Sequence, residues 1–399
     1  MNRRFGMEGH LGVGGGMVSE ESQRNLDIGA DLARKRRPRE ALPYIKEAIK
    51  DQNNLDAMIE LAFLRHRPHA IQTLELAESR GRNILKERLG PKCFDDDGEQ
   101  VGHFWSILDT RPYMRVMQAL VRLYFEEKRY EKSTNIMIEM LRLCPGDNMA
   151  QRTWLGSNLI RVGRLTDALY FAQTWLSPGP ADRGETPLKG GTDFKAPSRD
   201  PMTDERANDV EFSCGSLLYT AALASFKLWG DSLQAQQYLR AASKANPNIL
   251  MRILGRVTRP DELNNSPRSL NGPEDAHDYL WLSQDLWMVP EVWNWANNDP
   301  GAKESVLKTC SRDGCGKRET KATEFKLCSG CRLAFYCNAT CQKEDWKNHK
   351  PACRERQNMK AASRAMFLNK PIPKDGPLVF SSDLSQMGIT IDQGKTRRS

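Results

Sequence analysis

Hydrophobic residues recur at helical spacing along most of this chain, and they predict pairs of amphipathic helices. The apolar face of the first helix contains Leu26, Ile28, Leu32 and Ala33, and that of the second contains Ala41, Leu42, Ile45, Ala48 and Ile49. Pro38 separates the two runs, in a position where proline is tolerated at a helix start. Gly29 and Ala41 are small enough for the helices to cross closely. Two further helical stretches are predicted at residues 55–64 and 71–89.

A repeated spacing of small residues and prolines appears between residues 111 and 247. The pairs, each twelve positions apart, are Ser133/Pro145, Ala168/Pro180 and Ala235/Pro247. In tetratricopeptide (TPR) repeats of 34 residues, the small residue lets the second helix pack on the first, and the proline ends it. The first two copies are 35 residues apart and the third follows after 67, so an insertion is predicted at residues 177–206. This stretch is rich in Pro, Gly, Asp and Lys and is expected to be a flexible loop.

These patterns predict a mainly α fold, with a TPR-like helical repeat array (an α-solenoid) over residues 21–297. Residues 1–20 are rich in glycine and are expected to be disordered. Residues 298–309 are expected to be a linker, and residues 354–399 a basic helix extension that reaches Phe367 and a disordered tail. The end of the helical stack is expected to be sealed by the aromatic residues of segment 273–297, namely Tyr279, Trp281, Trp287, Trp293 and Trp295.

Three strings within the array resemble a known family. They are Thr110-Arg-Pro-Tyr-Met-Arg115, Leu143-Cys-Pro-Gly-Asp-Asn148 with Arg152, and Asn246-Pro247-Asn248 before the aromatic segment. They are similar to a TPR-like family found beside suppressor-of-tumorigenicity-type proteins. The resemblance covers roughly residues 85–297, implies a helical scaffold and names no reaction.

Charge and hydropathy place few limits on the partners of this protein. The net charge is +8 with a pI near 8.9, but the charge is spread along the chain. The basic run at residues 34–39 is a candidate nuclear localisation signal, although a solvated interhelical turn is the preferred interpretation. Residues 1–17 have no apolar stretch of signal-peptide length, and no segment approaches transmembrane length. We therefore expect a cytoplasmic and/or nuclear protein in a reducing compartment, without a membrane partner.

Metal-ligand chemistry is concentrated in residues 310–353, which hold seven of the ten cysteines and one of the six histidines. The candidate ligands are Cys310, Cys315, Cys328, Cys331, Cys337, Cys341, His349 and Cys353. They form four two-ligand units, as two tetrahedral zinc ions require, and leave no open position for catalysis. Spacing alone does not decide which pairs share an ion, since sequential and interleaved pairing both remain possible.

The same segment resembles a MYND finger in all eight ligand positions, with Tyr336 before Cys337 and Gln342 after Cys341. The resemblance implies a two-zinc cross-brace. In it, the first ion takes Cys310, Cys315, Cys337 and Cys341, and the second takes Cys328, Cys331, His349 and Cys353. It also implies a shallow groove beside the second ion, where Ser329, Gln342 and Trp346 bind a proline-rich peptide in extended form. Packing of Trp346 in the small core of the finger is the alternative. The tail prolines Pro371, Pro373 and Pro377 are candidate occupants of the groove.

No catalytic motif was found in the sequence. A nucleophile constellation, a Walker loop, a dinucleotide fingerprint and HExxH are all missing, as are the SET segments of the lysine methyltransferases that carry MYND fingers. We therefore expect no enzyme, but a zinc-binding protein-interaction adaptor whose finger binds proline-rich peptides and whose helical array binds a partner protein. The alternative is a nucleic-acid-associated transcriptional regulator that uses the basic finger region. Its lysines alternate with acidic residues, which disfavours that interpretation.

Overall fold

The computed structural model of this 399-residue chain describes residues 6–177, 186–264 and 268–367. Within these ranges it contains seventeen α-helices and one two-stranded sheet, which confirms the mainly α prediction. The first nine helices are α1 Met7–Leu11, α2 Glu20–Arg34, α3 Pro38–Ala48, α4 Leu55–Phe63, α5 Arg67–Leu89, α6 Arg111–Glu126, α7 Tyr130–Leu143, α8 Arg152–Arg161 and α9 Leu165–Leu176. The remaining elements are α10 Asp204–Asp209, α11 Gly215–Trp229, α12 Leu233–Ala245, α13 Pro247–Leu254, α14 Pro273–Trp287, α15 Pro290–Asn298, α16 Pro300–Val306, β1 Lys326–Leu327, β2 Phe335–Tyr336 and α17 Ala339–Phe367.

Helices adjacent in sequence pack as pairs, and successive pairs pack on one another from α2 to α12. One apolar core runs from Leu55 in α4 to Val306 in α16. Local sequence fixes several helix starts, because the side chains of Ser19, Asn54 and Ser232 accept backbone N–H groups of the first turn. Helices α3, α5, α6 and α13 instead begin with a proline in the first turn.

The small residues singled out in the sequence lie where helices cross. A Cβ on Gly29 would be 2.7 Å from the Cγ1 of Ile45, so only glycine fits between α2 and α3. Ser133, Ala168 and Ala235 are all fully buried. Pro180 lies outside the described residues. The helical pairs are therefore present, while membership of a TPR-like family stays a prediction.

The glycine-rich start differs from its expected disorder in the part described. Residues 13–16 form a short 3-10 turn in which Gly14 and Gly15 have φ values of 58° and 69°, where glycine is favoured. Val13, Met17 and Val18 are buried together against Ile84. The glycine-rich composition suggested disorder because composition does not show which residues the apolar side chains contact. Here these side chains pack against Ile84 of α5.

A buried ion cluster attaches this start to the array. Both carboxylate oxygens of Glu8 accept from the guanidinium of Arg115, at 2.9 and 3.2 Å. The Nε and Nη2 groups of the same guanidinium donate to the two oxygens of Asp56, at 2.8 and 2.7 Å. All three side chains are buried, and Arg111 lies 3.9 Å from Glu8. One arginine thus joins α1, α4 and α6.

Two segments expected to lack structure are also packed. The described part of the predicted insertion before α10 is residues 186–203. Within it, Gly190 and Gly191 are buried against α7 and α9. The rest of that loop, residues 178–185, lies outside the described residues. The predicted linker at 298–309 contains α16, whose Ala302 and Val306 are fully buried. Helix α16 forms there because Asp299 accepts the N–H of Ala302 at 2.7 Å and pairs with Arg240.

The tryptophans pack along the array rather than only at its end. Helix α14 lies against α8 and α11, and Trp281 contacts the rings of Phe125 and Trp154 at centroid distances of 4.7 and 5.4 Å. The ring of Trp295 in α15 stacks on Phe226 at 4.3 Å. Core packing therefore explains these aromatics. Among the helices of the described ranges, none combines the length and apolar character that spanning a membrane requires.

Candidate metal centre

Short elements bring the candidate ligands together after α16. Strands β1 and β2 pair antiparallel, with Lys326 opposite Tyr336, and the chain reaches Cys328 directly after β1 and Cys337 directly after β2. The side chain of Asn338 accepts the N–H of Cys341 at 2.8 Å and caps the first turn of α17. His349 and Cys353 lie four residues apart in α17 and therefore on the same helix face.

The first cluster consists of the sulfur atoms of Cys310, Cys315, Cys337 and Cys341, all within 4.8 Å of one another. The Sγ atoms of Cys315 and Cys337 are 3.7 Å apart, those of Cys337 and Cys341 are 3.5 Å apart, and those of Cys341 and Cys315 are 3.7 Å apart. A tetrahedral ion with Zn–S bonds of about 2.3 Å separates its sulfur ligands by about 3.8 Å. These four sulfurs are therefore arranged as a zinc ion requires.

The second cluster consists of Cys328, Cys331, His349 and Cys353. The Sγ atoms of Cys328 and Cys353 are 3.8 Å apart, and the Nε2 of His349 lies 3.4 Å from the Sγ of Cys328 and of Cys331. Bonds of about 2.3 Å to sulfur and about 2.0 Å to nitrogen predict an S···N separation of about 3.5 Å. None of the ten cysteines takes part in a disulfide bond, whose sulfur atoms would lie only about 2 Å apart.

The grouping is the interleaved one that the resemblance implied, and the sequential pairing is excluded. Each cluster has four protein ligands and no open coordination position, which is typical of structural zinc. The two Cys/His clusters fit the two zinc ions predicted from the sequence.

The four thiols of the first cluster affect one another's ionisation. Burial, followed by the neighbouring sulfurs, raises the pKa of Cys341 to about 12. The backbone N–H of Lys317 has the largest effect on Cys315 and lowers the pKa of that thiol to about 6. Close thiolates repel one another, so they cannot all ionise together. A divalent zinc ion removes this conflict because it favours the thiolate form of every ligand.

Two acidic residues that were assigned no role from the sequence, Asp345 and Glu319, support the clusters. The hydroxyl of Tyr336 donates to Asp345 at 2.6 Å, and this pair joins β2 to α17. Burial, followed by the Asp345 carboxylate, raises the pKa of Tyr336. The other residue is Glu319, which is buried. Its two oxygens accept the N–H groups of Lys308, at 2.9 Å, and of Phe325, at 2.8 Å. No motif marks either residue, since both roles depend on contacts across the fold.

Replacing Glu319 by Ala should remove about 2–4 kcal/mol from the folding free energy of the finger, because two partly buried N–H groups lose a charged acceptor. Competition with a zinc chelator should show weaker zinc retention in E319A than in the wild type. Glu355→Ala is the matched control, since Glu355 is exposed on α17. Equal zinc retention in E319A and E355A would contradict the supporting role of Glu319.

Two of the three predicted peptide-binding residues, Ser329 and Trp346, lie beside ligands of the second cluster, and Gln342 follows Cys341 of the first. Ser329 follows the ligand Cys328 and is exposed. Gln342 and Trp346 lie four residues apart on one face of α17, and the Trp346 ring centroid is 6.1 Å from that of His349. Trp346 is 43% exposed, whereas Tyr336 is completely buried. The buried aromatic residue of the finger core is therefore Tyr336.

Comparison with known proteins agrees with this geometry. The family model described as the MYND finger matches residues 307–353. Residues 307–353 are a MYND zinc finger. Fingers of this type are zinc-binding protein-interaction modules. No solved structure matches the chain.

The curated relatives match only a small part of this chain. An F-box protein of Arabidopsis thaliana is 48% identical over 48 residues, which cover 12% of this chain and 13% of that protein. The N-lysine methyltransferase SMYD2 of Gallus gallus is 49% identical over 41 residues, which cover 10% of this chain and 9% of that enzyme. The histone-lysine N-methyltransferase ASHR1 of Arabidopsis thaliana is 40% identical over 42 residues, which cover 10% of this chain and 8% of that enzyme. Each match thus spans only a small part of the relative.

These relatives correct the prediction that the chain is not an enzyme. Proteins named as lysine methyltransferases carry fingers similar to this one, so the prediction does not stand. The prediction relied on the absence of known catalytic motifs from the sequence. A zinc finger that folds around its own metal can be joined to many different domains. The absence of known catalytic motifs therefore gives little information about enzymatic activity.

Proposed function

We propose that the MYND finger binds short proline-rich peptides in extended form and that the helical array binds a partner protein, in the cytoplasm and/or the nucleus. The single observation that carries the finger assignment is the exposure of Trp346 beside the second ligand cluster. Since Tyr336 fills the core of the finger, the large ring of Trp346 is available to a ligand.

The chemistry of the three side chains suits such a peptide. Trp346 offers a flat apolar wall on which proline rings can pack. The amide of Gln342 and the hydroxyl of Ser329 can bond backbone groups of an extended chain. A proline-rich chain is already extended before binding, so it loses little conformational entropy.

The small sheet offers a backbone partner for the same ligand. The outer side of β2 is bonded to Ser311, whose N–H donates to the carbonyl of Phe335 at 2.7 Å and whose hydroxyl accepts the Phe335 N–H at 2.9 Å. The outer side of β1 is solvent-exposed at Lys326 and Leu327. An extended peptide can therefore add a strand along β1.

The contact surface is small, and we therefore expect micromolar affinity, about −8 kcal/mol or weaker. Pro371, Pro373 and Pro377 lie outside the described residues. Their binding in the groove stays a prediction, and the tail from residue 368 is removed in one arm of the test.

The test titrates a synthetic proline-rich peptide into the zinc-loaded full chain. Trp346→Ala should weaken binding about tenfold, because the apolar wall is lost. Gln342→Ala should also weaken binding, whereas Phe212→Ala should not, since Phe212 is an exposed aromatic residue of the array. A chain ending at residue 367 should bind more tightly if the tail competes. Equal binding by the wild type, W346A and Q342A, each with two zinc ions, would refute the finger assignment.

A further inference from the structure

Residues 196–203, hereafter the strap, cross the surface of α9 and α12 in an extended conformation. Their sequence is Ala-Pro-Ser-Arg-Asp-Pro-Met-Thr, and they form no helix or strand. Three glutamine side chains bind the strap backbone: Gln173 of α9, and Gln234 and Gln237 of α12. The strap is thus attached to the array by amide groups.

Two of these glutamines make reciprocal pairs of hydrogen bonds. The Nε2 of Gln173 donates to the Ser198 carbonyl at 2.8 Å, and its Oε1 accepts the Ser198 N–H at 2.9 Å. The Nε2 of Gln237 donates to the Met202 carbonyl at 2.7 Å, and its Oε1 accepts the Met202 N–H at 2.8 Å. Each side-chain amide therefore bonds one strap residue through both of its backbone groups, as a neighbouring β-strand does.

Gln234 makes a third set of hydrogen bonds to the strap. It is only 1% exposed, and its Nε2 donates to the carbonyls of Ser198 and Asp200, at 3.0 and 2.7 Å. Its Oε1 accepts the hydroxyl of the buried Ser225 at 3.0 Å, which fixes the orientation of the amide. If the strap left, the Nε2 of Gln234 would lose both of these acceptors. The site therefore favours an occupant that presents backbone carbonyls.

The three glutamines bind the strap through its backbone. Among the strap side chains, Met202 packs against the core of the array, and the guanidinium of Arg199 lies 5.7 Å from the ring centroid of Trp229. Ser198, Arg199 and Asp200 are exposed to solvent. Pro197 and Pro201 directly precede Ser198 and Met202, whose N–H groups are bonded. Proline has no N–H, and it keeps the preceding residue extended. Two prolines four positions apart therefore fit the bonding pattern of the site.

A cavity of about 550 Å³ lies beside the strap. It is lined by strap residues and by side chains of the array that include Tyr170, Thr174, Val210 and Tyr238. An occupant with larger side chains than those of the strap has room at this position.

We propose that Gln173, Gln234 and Gln237 form a binding site for an extended, proline-containing peptide of a partner protein, and that the strap occupies this site in cis. The inference rests on the array half of the proposed function, for which it names a surface and a ligand class. A tethered segment has an effective concentration on the order of millimolar. The intact chain therefore binds a free peptide weakly, and displacement of the strap exposes the site.

The test uses the full chain with residues 196–203 replaced by a Gly/Ser segment of equal length, and a labelled synthetic peptide with the sequence of residues 195–204. Trp346→Ala is included in every protein, so that the finger does not contribute. The strap-replaced chain should bind the peptide at least tenfold more tightly than the chain with its own strap. Gln234→Ala in the strap-replaced chain should weaken binding at least fivefold. Gln236→Ala, on the same helix but bonded to Asp231 and Arg240, is the matched control.

Absence of peptide binding by a folded strap-replaced chain would overturn the proposal, and so would equal binding by its Q234A and Q236A variants. If the replacement prevents folding, the double variant Ser198→Pro/Met202→Pro removes the two bonded N–H groups and leaves the helices unchanged. It should show the same gain in peptide binding, and no gain would overturn the proposal. A wild-type dimer that disappears on strap replacement would show that a second copy, and not a partner peptide, is the occupant. Failure in these experiments leaves the finger titration unaffected, since the two tests use different residues.

Discussion

Replacing Cys331 by Ser is expected to unfold the MYND finger while the helical array stays folded. The Sγ of Cys331 lies 3.4 Å from the Nε2 of His349, within the second ligand cluster. Apart from ligands, the buried apolar core of the finger contains only Ala334 and Tyr336. Such a core cannot offset the entropy of folding, so zinc supplies most of the stability, about 10 kcal/mol or more for each structural ion.

Metal analysis should return two zinc ions per chain for the wild type and at most one for C331S. Circular dichroism should show that most helix remains, because the array has its own continuous core. Cys214→Ser is the matched control, since Cys214 is half-buried at the start of α11 and belongs to neither cluster. Two ions in C331S, or loss of the array together with the finger, would contradict this account.

Replacing Arg115 by Met is expected to destabilise the array by about 3–5 kcal/mol. The substitution leaves Glu8 and Asp56 buried without the guanidinium that bonds all four of their oxygens. Breaking a buried ion pair by removing one partner costs this much because the remaining buried carboxylates lose the positive charge of the guanidinium. Since Glu8 belongs to α1, the N-terminal segment should also detach, and its amide hydrogens should exchange faster.

Thermal unfolding and hydrogen exchange measure these two effects. Arg122→Met is the matched control, because Arg122 is on the same helix but pairs with Glu126 at the surface. Surface pairs contribute only about 0–1 kcal/mol, so R122M should change stability little. Adding Glu8→Gln and Asp56→Asn to R115M should recover part of the loss, since the two buried negative charges are then removed. Equal stability of R115M and R122M would refute the role of the cluster.

The zinc ligands show which features of the metal sites could be predicted from local sequence. Eight candidate ligands and two zinc ions followed from the positions of cysteine and histidine, because zinc chemistry demands those residue types at short spacings. The grouping into two sites came from resemblance to MYND fingers. In the structure, pairing of β1 with β2 and capping of α17 by Asn338 bring the ligands into those groups. Spacing alone could not do so, because it does not specify how the chain crosses itself.

Helical periodicity likewise predicted individual helices well but gave less information about how the helices pack together. The apolar faces predicted α2 to α5, and the crossing of α2 and α3 at Gly29 follows from the small size of that residue. The predictions for low-complexity stretches were less accurate. Composition measures the average tendency of a segment to be disordered. It does not show that Glu8 faces Arg115, or that glutamines on α9 and α12 bind the strap.

The sequence by itself determined the helical character of the chain, the eight zinc ligands and the presence of a MYND finger. Each of these depends on residues that are close in sequence, or on chemistry that few residue types can perform. Only the tertiary structure decided the burial of the Glu8–Arg115–Asp56 cluster, the support of the finger by Glu319 and the binding of the strap by Gln173, Gln234 and Gln237. Each of these contacts joins residues distant in sequence. A carboxylate, a guanidinium or an amide has the same local pattern whether it is hydrated or buried, and its role is decided only when folding removes the water around it.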